Sequence, residues 1–284
     1  MPALLALVVV TAVWGVTFVQ VKDALEVYPL FAFLAVRFAI ASLTLAPLAA
    51  PRLRSAGWKP GALLGALLAV GYALQTAGLE RTTVSSAGFI TGLYVVFTPV
   101  FAYLLFRIRV ARIVAVGVGL AVLGLALLTG VGVGDPVGDA LVLGGSAVYS
   151  LQIALMERYA PRYDPIAFTF VEMLAAFVGF AVLAVALGQI ELPRGWVVWG
   201  ALLVTGIFAS ALGFLVQTWA QRQLSAARTA LAFAMEPAWT ALFGFWLAGD
   251  RLGAAGWAGA ALIMAGIVVA EPAAADALRR LLRR

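Results

Sequence analysis

The sequence predicts an all-α polytopic membrane protein with ten transmembrane helices, and three observations carry this prediction. Hydrophobic residues make up 64% of the 284 positions and charged residues 11%, and the mean hydropathy is +1.05. Soluble chains carry about 25% charged residues, so a bilayer is the solvent that suits this composition. In addition, the apolar residues fall into ten stretches of membrane-spanning length, and lysine and arginine concentrate in alternate connections between them.

Each predicted span is a run of about 20 mostly apolar residues, the length that crosses the hydrocarbon core as a helix. Turn residues and charges interrupt the runs, as at Pro51-Arg52 and Gly134-Asp135-Pro136. The first run lacks a basic leader and continues through Trp14, which predicts a retained span and no cleaved signal. Numbered in chain order, the spans are 3–21, 28–50, 60–79, 84–106, 112–130, 138–157, 165–188, 196–220, 227–248 and 253–270.

The distribution of basic residues predicts the orientation in the membrane. Fourteen lysines and arginines lie after spans 2, 4, 6 and 8 and in the C-terminal segment, against four in the other connections. Cytoplasmic loops carry the excess of positive charge, so both termini are expected in the cytoplasm and residues 273–284 form a basic cytoplasmic tail. The chain is expected to cross the membrane many times.

Composition also bears on the classes of function. The chain has no cysteine and no histidine, which excludes disulfides, thiolate chemistry and the usual zinc sites; no cofactor or metal is expected. The basic residues sit in short loops and form no extended face for nucleic acid. A membrane-embedded enzyme would need clustered acids, a metal or an activated nucleophile, and a channel would need a continuous polar pore. Both remain as weaker alternatives.

A weak internal repeat divides the chain into two halves, residues 1–134 with spans 1–5 and residues 135–272 with spans 6–10. Because each half has an odd number of spans, the second copy must be inserted upside down relative to the first, as in many secondary transporters. The matching pairs keep their order along both halves: Pro29 with Pro165, Thr91…Pro99 with Thr229…Pro237, and Gly117…Gly124 with Gly259…Gly266.

Several short motifs in their order resemble the drug/metabolite transporter superfamily, EamA type. They are Ala220-Gln221, Leu224-Ser225-Ala226-Ala227, Glu236-Pro237 and Gly249-Asp250-Arg251-Leu252. The resemblance covers nearly the whole chain and, within the family, is to bacterial exporters of amino acids and related metabolites. It implies a central cavity walled by spans 1, 3, 4, 6, 8 and 9, open to one side of the membrane at a time, with spans 5 and 10 packed outside.

Polar and aromatic residues near the middle of those six spans are the candidate cavity residues, since such groups lack a water partner unless they face a cavity or another helix. The alternative for each is helix–helix hydrogen bonding and aromatic packing. Such a wall suits amphipathic solutes, and the absence of a cluster of fixed positive charge counts against phosphates. The twelve candidates are Trp14, Thr17, Tyr72, Gln75, Thr91, Tyr94, Tyr149, Gln152, Ser210, Gln217, Phe233 and Glu236.

Three ionisable residues fall within spans. Glu236 lies near the middle of span 9, and we expect it to couple transport to protons or to bind a substrate amine; the alternatives are a structural pair with Arg37 or a protonated carboxyl that caps backbone groups freed by Pro237. Arg37 would cost about 2.5–3.5 kcal/mol if left unpaired in the membrane. Arg37 and Glu172 lie on spans 2 and 7, outside the expected wall, which favours structural roles for both.

Two prolines occupy matching places in the repeat, Pro99 in span 4 and Pro237 in span 9. A proline inside a helix removes a backbone hydrogen bond and favours a kink, so this pair is the candidate hinge; static kinks that only shape the cavity are the alternative. The expected function is therefore secondary-active export of small amphipathic metabolites, above all amino acids, by alternating access in a monomer. A multidrug or cationic-compound exporter of the same fold is the alternative.

Overall fold

The structure, a computed structural model, describes residues 2–129, 135–243 and 253–270, and all regular secondary structure in these ranges is helical. The predicted basic tail at 273–284 and the segment from Gly249 to Leu252 lie outside the described residues. Seven helices of 21 to 27 residues are long and apolar enough to cross a membrane, and spans 5 and 10 are shorter apolar helices. Span 9 completes the ten as two helices of eight residues each.

The observed helices match the ten predicted spans, with ends shifted by a few residues. Spans 1, 3 and 6 are longer than the predicted runs because the helix continues into the polar connection, and spans 4, 8 and 9 are divided because the regular helix breaks within the run. In order, the spans are Pro2–Leu25, Leu30–Ala49, Trp58–Arg81, Val84–Gly92 with Tyr94–Phe106, Arg112–Thr129, Pro136–Tyr159, Pro165–Ala186, Gly195–Leu203 with Val204–Leu212 and Gly213–Ala220, Ala226–Phe233 with Glu236–Phe243, and Ala254–Val269.

The turn signals of the sequence are helix caps in the structure. The Asp135 carboxylate accepts the backbone N–H of Gly138 at 3.1 Å at the start of span 6. Asp164 does the same for span 7, accepting from Ile166 at 3.1 Å and Ala167 at 3.0 Å. A proline follows each aspartate at the first helical position, where its missing N–H costs no hydrogen bond. These caps fix where two spans begin and so set their register.

Spans 5 and 10 cross through four glycines, the ones that recur in the sequence repeat. A Cβ atom at Gly124 would lie 2.5 Å from the carbonyl oxygen of Gly259, and a Cβ at Gly266 would lie 2.5 Å from that of Gly117. Only glycine permits this approach of two backbones. The two spans form a tightly packed pair, and none of their residues lines the central cavity described below.

Three of the spans around the molecular centre depart from regular α-helix. Span 4 breaks at Leu93, and span 9 breaks at Ala234-Met235. Span 8 contains a π-helical stretch, Val204–Leu212. Pro237 is the second residue of the second half of span 9, directly after its break. Pro99, in contrast, lies inside the helix six residues beyond Leu93, so the break in span 4 does not fall at the proline.

Candidate functional site

A central cavity of about 720 Å³, including its opening, lies among the spans. Its lining combines aromatic rings and aliphatic side chains with amides, threonines, one glutamate and one arginine. The lining residues come from spans 1, 3, 4, 6, 8 and 9, and from one residue of span 2.

Eleven of the twelve predicted cavity residues line this one space; the exception is Ser210. Ser210 lies behind the wall, where its hydroxyl accepts a hydrogen bond from Arg37 Nε at 2.9 Å. The structure therefore brings together side chains from six different spans. Contrary to the expectation that span 2 stays outside the wall, Arg37 also lines the cavity, because span 2 approaches span 8 closely at Gly206.

The acidic side of the cavity lies at the two helix breaks. Glu236 is 7% exposed and begins the second half of span 9. Tyr94, the first residue after the break in span 4, donates its hydroxyl to Glu236 Oε2 at 3.3 Å. The two breaks thus place a carboxyl group and a phenol together on the cavity wall.

The basic side of the cavity is the Arg37 guanidinium, which is 4% exposed. Its Nη2 donates to the hydroxyl of Tyr72 at 3.1 Å, and its Cζ lies 4.6 Å from the centre of the Tyr72 ring. Together with the Ser210 hydroxyl, which comes from the π-helical stretch of span 8, this contact fixes the guanidinium plane. The cation is held by two neutral oxygens and an aromatic face.

Comparison with known proteins identifies the family. Residues 1–130 and 136–270 match the EamA-like transporter family. The chain belongs to this family. It is 31% identical over 266 residues to an uncharacterized transporter of Archaeoglobus fulgidus, an alignment that covers 93% of this chain and 84% of that one. It is also 24% identical over 221 residues to the uncharacterized transporter YyaM of Bacillus subtilis, covering 74% and 72%.

A solved structure supports the fold of this EamA-family chain. The crystal structure of another protein superposes on this chain with a TM-score of 0.78. The superposition covers 98% of this chain and 97% of that one. The sequence identity is 18%, so this likeness concerns the fold alone. The family is one of transporters, and its polytopic membrane architecture agrees with the ten helical spans.

Amide and hydroxyl groups join three spans of the EamA-family cavity wall. Gln75 on span 3 donates to the Thr91 hydroxyl at 3.0 Å and accepts from the Tyr149 hydroxyl at 3.0 Å. The Thr91 carbonyl in turn accepts from Ser146 at 3.0 Å. This carbonyl lies two residues before the break at Leu93. Spans 3, 4 and 6 are therefore tied together by side chains that also face the cavity.

A second polar chain leads from the cavity to Glu172 on span 7. Gln217 donates to Gln152 Oε1 at 3.0 Å and to Gln221 Oε1 at 2.9 Å. Gln152 donates to Glu172 Oε1 at 2.7 Å. Glu172 is fully buried, and its Oε2 has no hydrogen-bond partner among the described residues. Gln152 and Gln217 line the cavity, whereas Glu172 lies one side chain behind it.

Aromatic rings form the apolar part of the wall around Trp14. Its ring centre lies 4.8 Å from that of Phe233 and 5.7 Å from that of Phe214. Trp14 Nε1 donates to the carbonyl of Ala209 in the π-helical stretch at 2.9 Å. Thr17 donates to the carbonyl of Trp14 at 2.8 Å. The contacts with Ala209 and Phe214 join span 1 to span 8, and the contact with Phe233 joins it to span 9.

No group of three or more carboxylates that could hold a metal ion occurs within residues 2–129, 135–243 and 253–270. The two buried acids, Glu172 and Glu236, are on different spans, and only Glu236 lines the cavity. The arrangement therefore offers binding groups of several kinds around an apolar space.

Proposed function

We propose that this EamA-family chain is a secondary-active exporter of small amphipathic metabolites, with amino acids as the substrate class. The observation that carries the proposal is the cavity. Aromatic rings provide an apolar surface, and discrete hydrogen-bonding and charged groups stand around it. Pockets of this kind bind a solute by its apolar body and orient it by a few polar groups.

Alternating access is the proposed mechanism, with residues 1–134 and 135–272 as two inverted repeats. Contacts between spans support it. When each span is replaced by its counterpart in the other half, the observed contacts convert into one another. Span 3 packs on span 6 as span 8 packs on span 1, while the pairs 2–7 and 5–10 map onto themselves. Spans 4 and 9, which match each other in the repeat, are both interrupted, at Leu93 and at Ala234-Met235. In this proposal Pro99 and Pro237 are the hinges of those two spans, and the tight 5–10 pair stays fixed.

Glu236 is the proposed coupling residue. It combines access to the cavity, a hydrogen bond from Tyr94 and a position at the break of span 9. A carboxyl group there can exchange a proton or hold a substrate amine, and can change partners when the halves move. One chain contains both halves of the cavity, so a monomer suffices. The distribution of basic residues supports an orientation with both termini cytoplasmic, and the proposed location is the bacterial inner membrane.

A second candidate function is export of cationic drug-like compounds by the same fold. The rings of Trp14, Tyr72, Phe214 and Phe233 favour it, because aromatic faces attract organic cations, and Glu236 would provide the counter-charge. If the substrates were organic cations, Arg37 would have no binding role at the cavity, and its guanidinium would repel them. Amino acids account for both charged residues and are therefore the first class to test.

Reconstitution in liposomes tests the proposed function. Uptake of labelled L-leucine, L-phenylalanine and L-threonine is measured with and without an imposed pH gradient, beside a quaternary ammonium compound. We expect saturable amino-acid uptake that the gradient stimulates. Uptake of the ammonium compound alone would make organic cations the substrate class instead of amino acids. If no compound is taken up, with or without the gradient, the proposal is contradicted.

A further inference from the structure

Arg37 is a buried cation whose hydrogen-bond partners are neutral, and Glu236 on the same cavity is close enough to attract it. Its guanidinium has five N–H donors, and among the described residues two of them are paired, one with Ser210 and one with Tyr72. Both partners are neutral hydroxyls. The remaining donors belong to a side chain that lines the cavity. A charge in a low-dielectric region is strongly disfavoured unless it has a counter-charge and filled hydrogen bonds, so this site favours an incoming anion.

The geometry points to a carboxylate as that anion. A guanidinium is a planar fork that binds a carboxylate through two parallel hydrogen bonds. Ser210 and Tyr72 hold the fork by Nε and Nη2, and the Tyr72 ring lies against its face at 4.6 Å. The orientation is thus fixed before any ligand arrives, which reduces the entropy lost on binding.

We propose that Arg37 binds the carboxylate of a zwitterionic substrate whose amine is bound by Glu236, so that the pair selects α-amino acids over amines and over acids that lack an amine. The inference rests on the proposed function and assigns the substrate class of the same cavity. Arg37 and Glu236 line the same cavity as the rings of Trp14 and Phe233. A zwitterion therefore meets a cation, an anion and an apolar surface in the same space.

Ser210 is the positioning residue for this contact. It lies in the π-helical stretch of span 8 and does not line the cavity, yet it holds Arg37 Nε at 2.9 Å. Gly206, four residues earlier, lets span 2 approach, because a Cβ there would lie 3.0 Å from the Arg37 carbonyl oxygen. The π-helical stretch thus sets both the backbone approach and the hydroxyl that direct Arg37 into the cavity.

A ladder of analogues tests the assignment through binding to the intact, purified protein. Wild type is compared for L-leucine, L-leucine methyl ester and 4-methyl-2-oxopentanoate, which carry both charges, only the cation and only the anion. We expect wild type to bind leucine at least about 30-fold more tightly than the ester, the size of effect seen when one partner of a buried charge pair is lost. Equal affinity of wild type for leucine and its ester would overturn the inference without any variant.

Arg37→Gln sharpens the same test. We expect it to lose leucine affinity by at least about 30-fold and to change the affinity for the ester much less, with Arg37→Lys between the two because it keeps the charge and loses the fork. Ser210→Ala should weaken leucine binding and leave the ester unaffected. Arg54→Gln, on an exposed arginine, makes the same charge change away from the cavity and should bind as wild type does.

The outcomes separate the two proposals. If Arg37→Gln lowers leucine and ester affinity equally while remaining folded, Arg37 is structural and the inference is wrong, although leucine transport stands. If the variant does not fold, the wild-type ladder and Ser210→Ala still decide. If wild type neither binds nor transports leucine, phenylalanine or threonine, the proposed function fails, and the inference fails with it.

Discussion

The two buried glutamates show how the same residue type serves two kinds of structure in one membrane protein. Glu172 is fully buried in the continuous helix of span 7, where Gln152 donates to it at 2.7 Å. Glu236 lies on the cavity wall, directly after the break in span 9, and accepts from Tyr94. Within the part of the chain that the structure describes, Glu172 contacts a cavity residue, Gln152, but does not line the cavity itself, whereas Glu236 does. Access, more than burial, separates a structural acid from a candidate coupling acid.

The largest expected effect distinguishes the two acids directly. Glu236→Gln removes the exchangeable proton at the cavity, so stimulation of amino-acid uptake by an imposed pH gradient should disappear. Glu172→Gln, which keeps an oxygen to accept from Gln152, should retain the stimulation. The measurement is initial uptake in liposomes, normalised to the amount of folded protein. Equal loss of gradient stimulation in the two variants would contradict the distinction between Glu236 and Glu172.

A smaller effect is expected from the phenol that contacts Glu236. Tyr94→Phe keeps the ring that packs near Phe233 but removes the hydroxyl donor to the carboxylate. A hydrogen bond to a charged group contributes about 1.5–3 kcal/mol, so uptake should fall by about tenfold or more at limiting substrate. Tyr103→Phe is the matched control, since Tyr103 is 42% exposed on the same half of span 4. A similar loss in both variants would mean that the contact with Glu236 is not what matters.

The smallest effect on transport is expected at the structural acid. Glu172→Ala leaves the Gln152 amide donor without its partner, which should lower the free energy of unfolding by about 1–3 kcal/mol. Thermal unfolding in detergent measures this, with Glu172→Gln as the milder variant. Uptake per folded molecule should remain near that of wild type. Loss of uptake in a folded Glu172→Ala protein would show that the chain of amides from Glu172 to the cavity takes part in transport.

Much of the fold could be predicted because a bilayer leaves the backbone few options. Each apolar run of about 20 residues must satisfy its own hydrogen bonds and therefore forms a helix. The glycines at 117, 124, 259 and 266 were recognisable as matching positions of the repeat, and the structure pairs them across spans 5 and 10. The mid-span polar residues were recognisable by the same logic, since unsatisfied polar groups are costly in lipid.

The parts that sequence did not reveal depend on three-dimensional neighbours. Arg37 was visible as a mid-span charge, but its reach into the cavity depends on how spans 2 and 8 approach each other at Gly206. The break at Leu93 directly follows Gly92, whereas the proline of span 4 lies six residues further on at Pro99, so the proline does not mark the break. The π-helical stretch around Ser210 was not predicted from the sequence either. Such irregularities arise where tertiary contacts outweigh local propensity.

Measuring proton movement during amino-acid transport tests directly whether Glu236 couples the two. Liposomes that contain the protein and a pH-sensitive dye receive L-leucine outside, with no gradient imposed, and the internal pH is followed as leucine enters. We expect the internal pH to change as leucine enters in wild type and to stay constant in Glu236→Gln. Leucine entry without any pH change in wild type, or an undiminished pH change in Glu236→Gln, would contradict it.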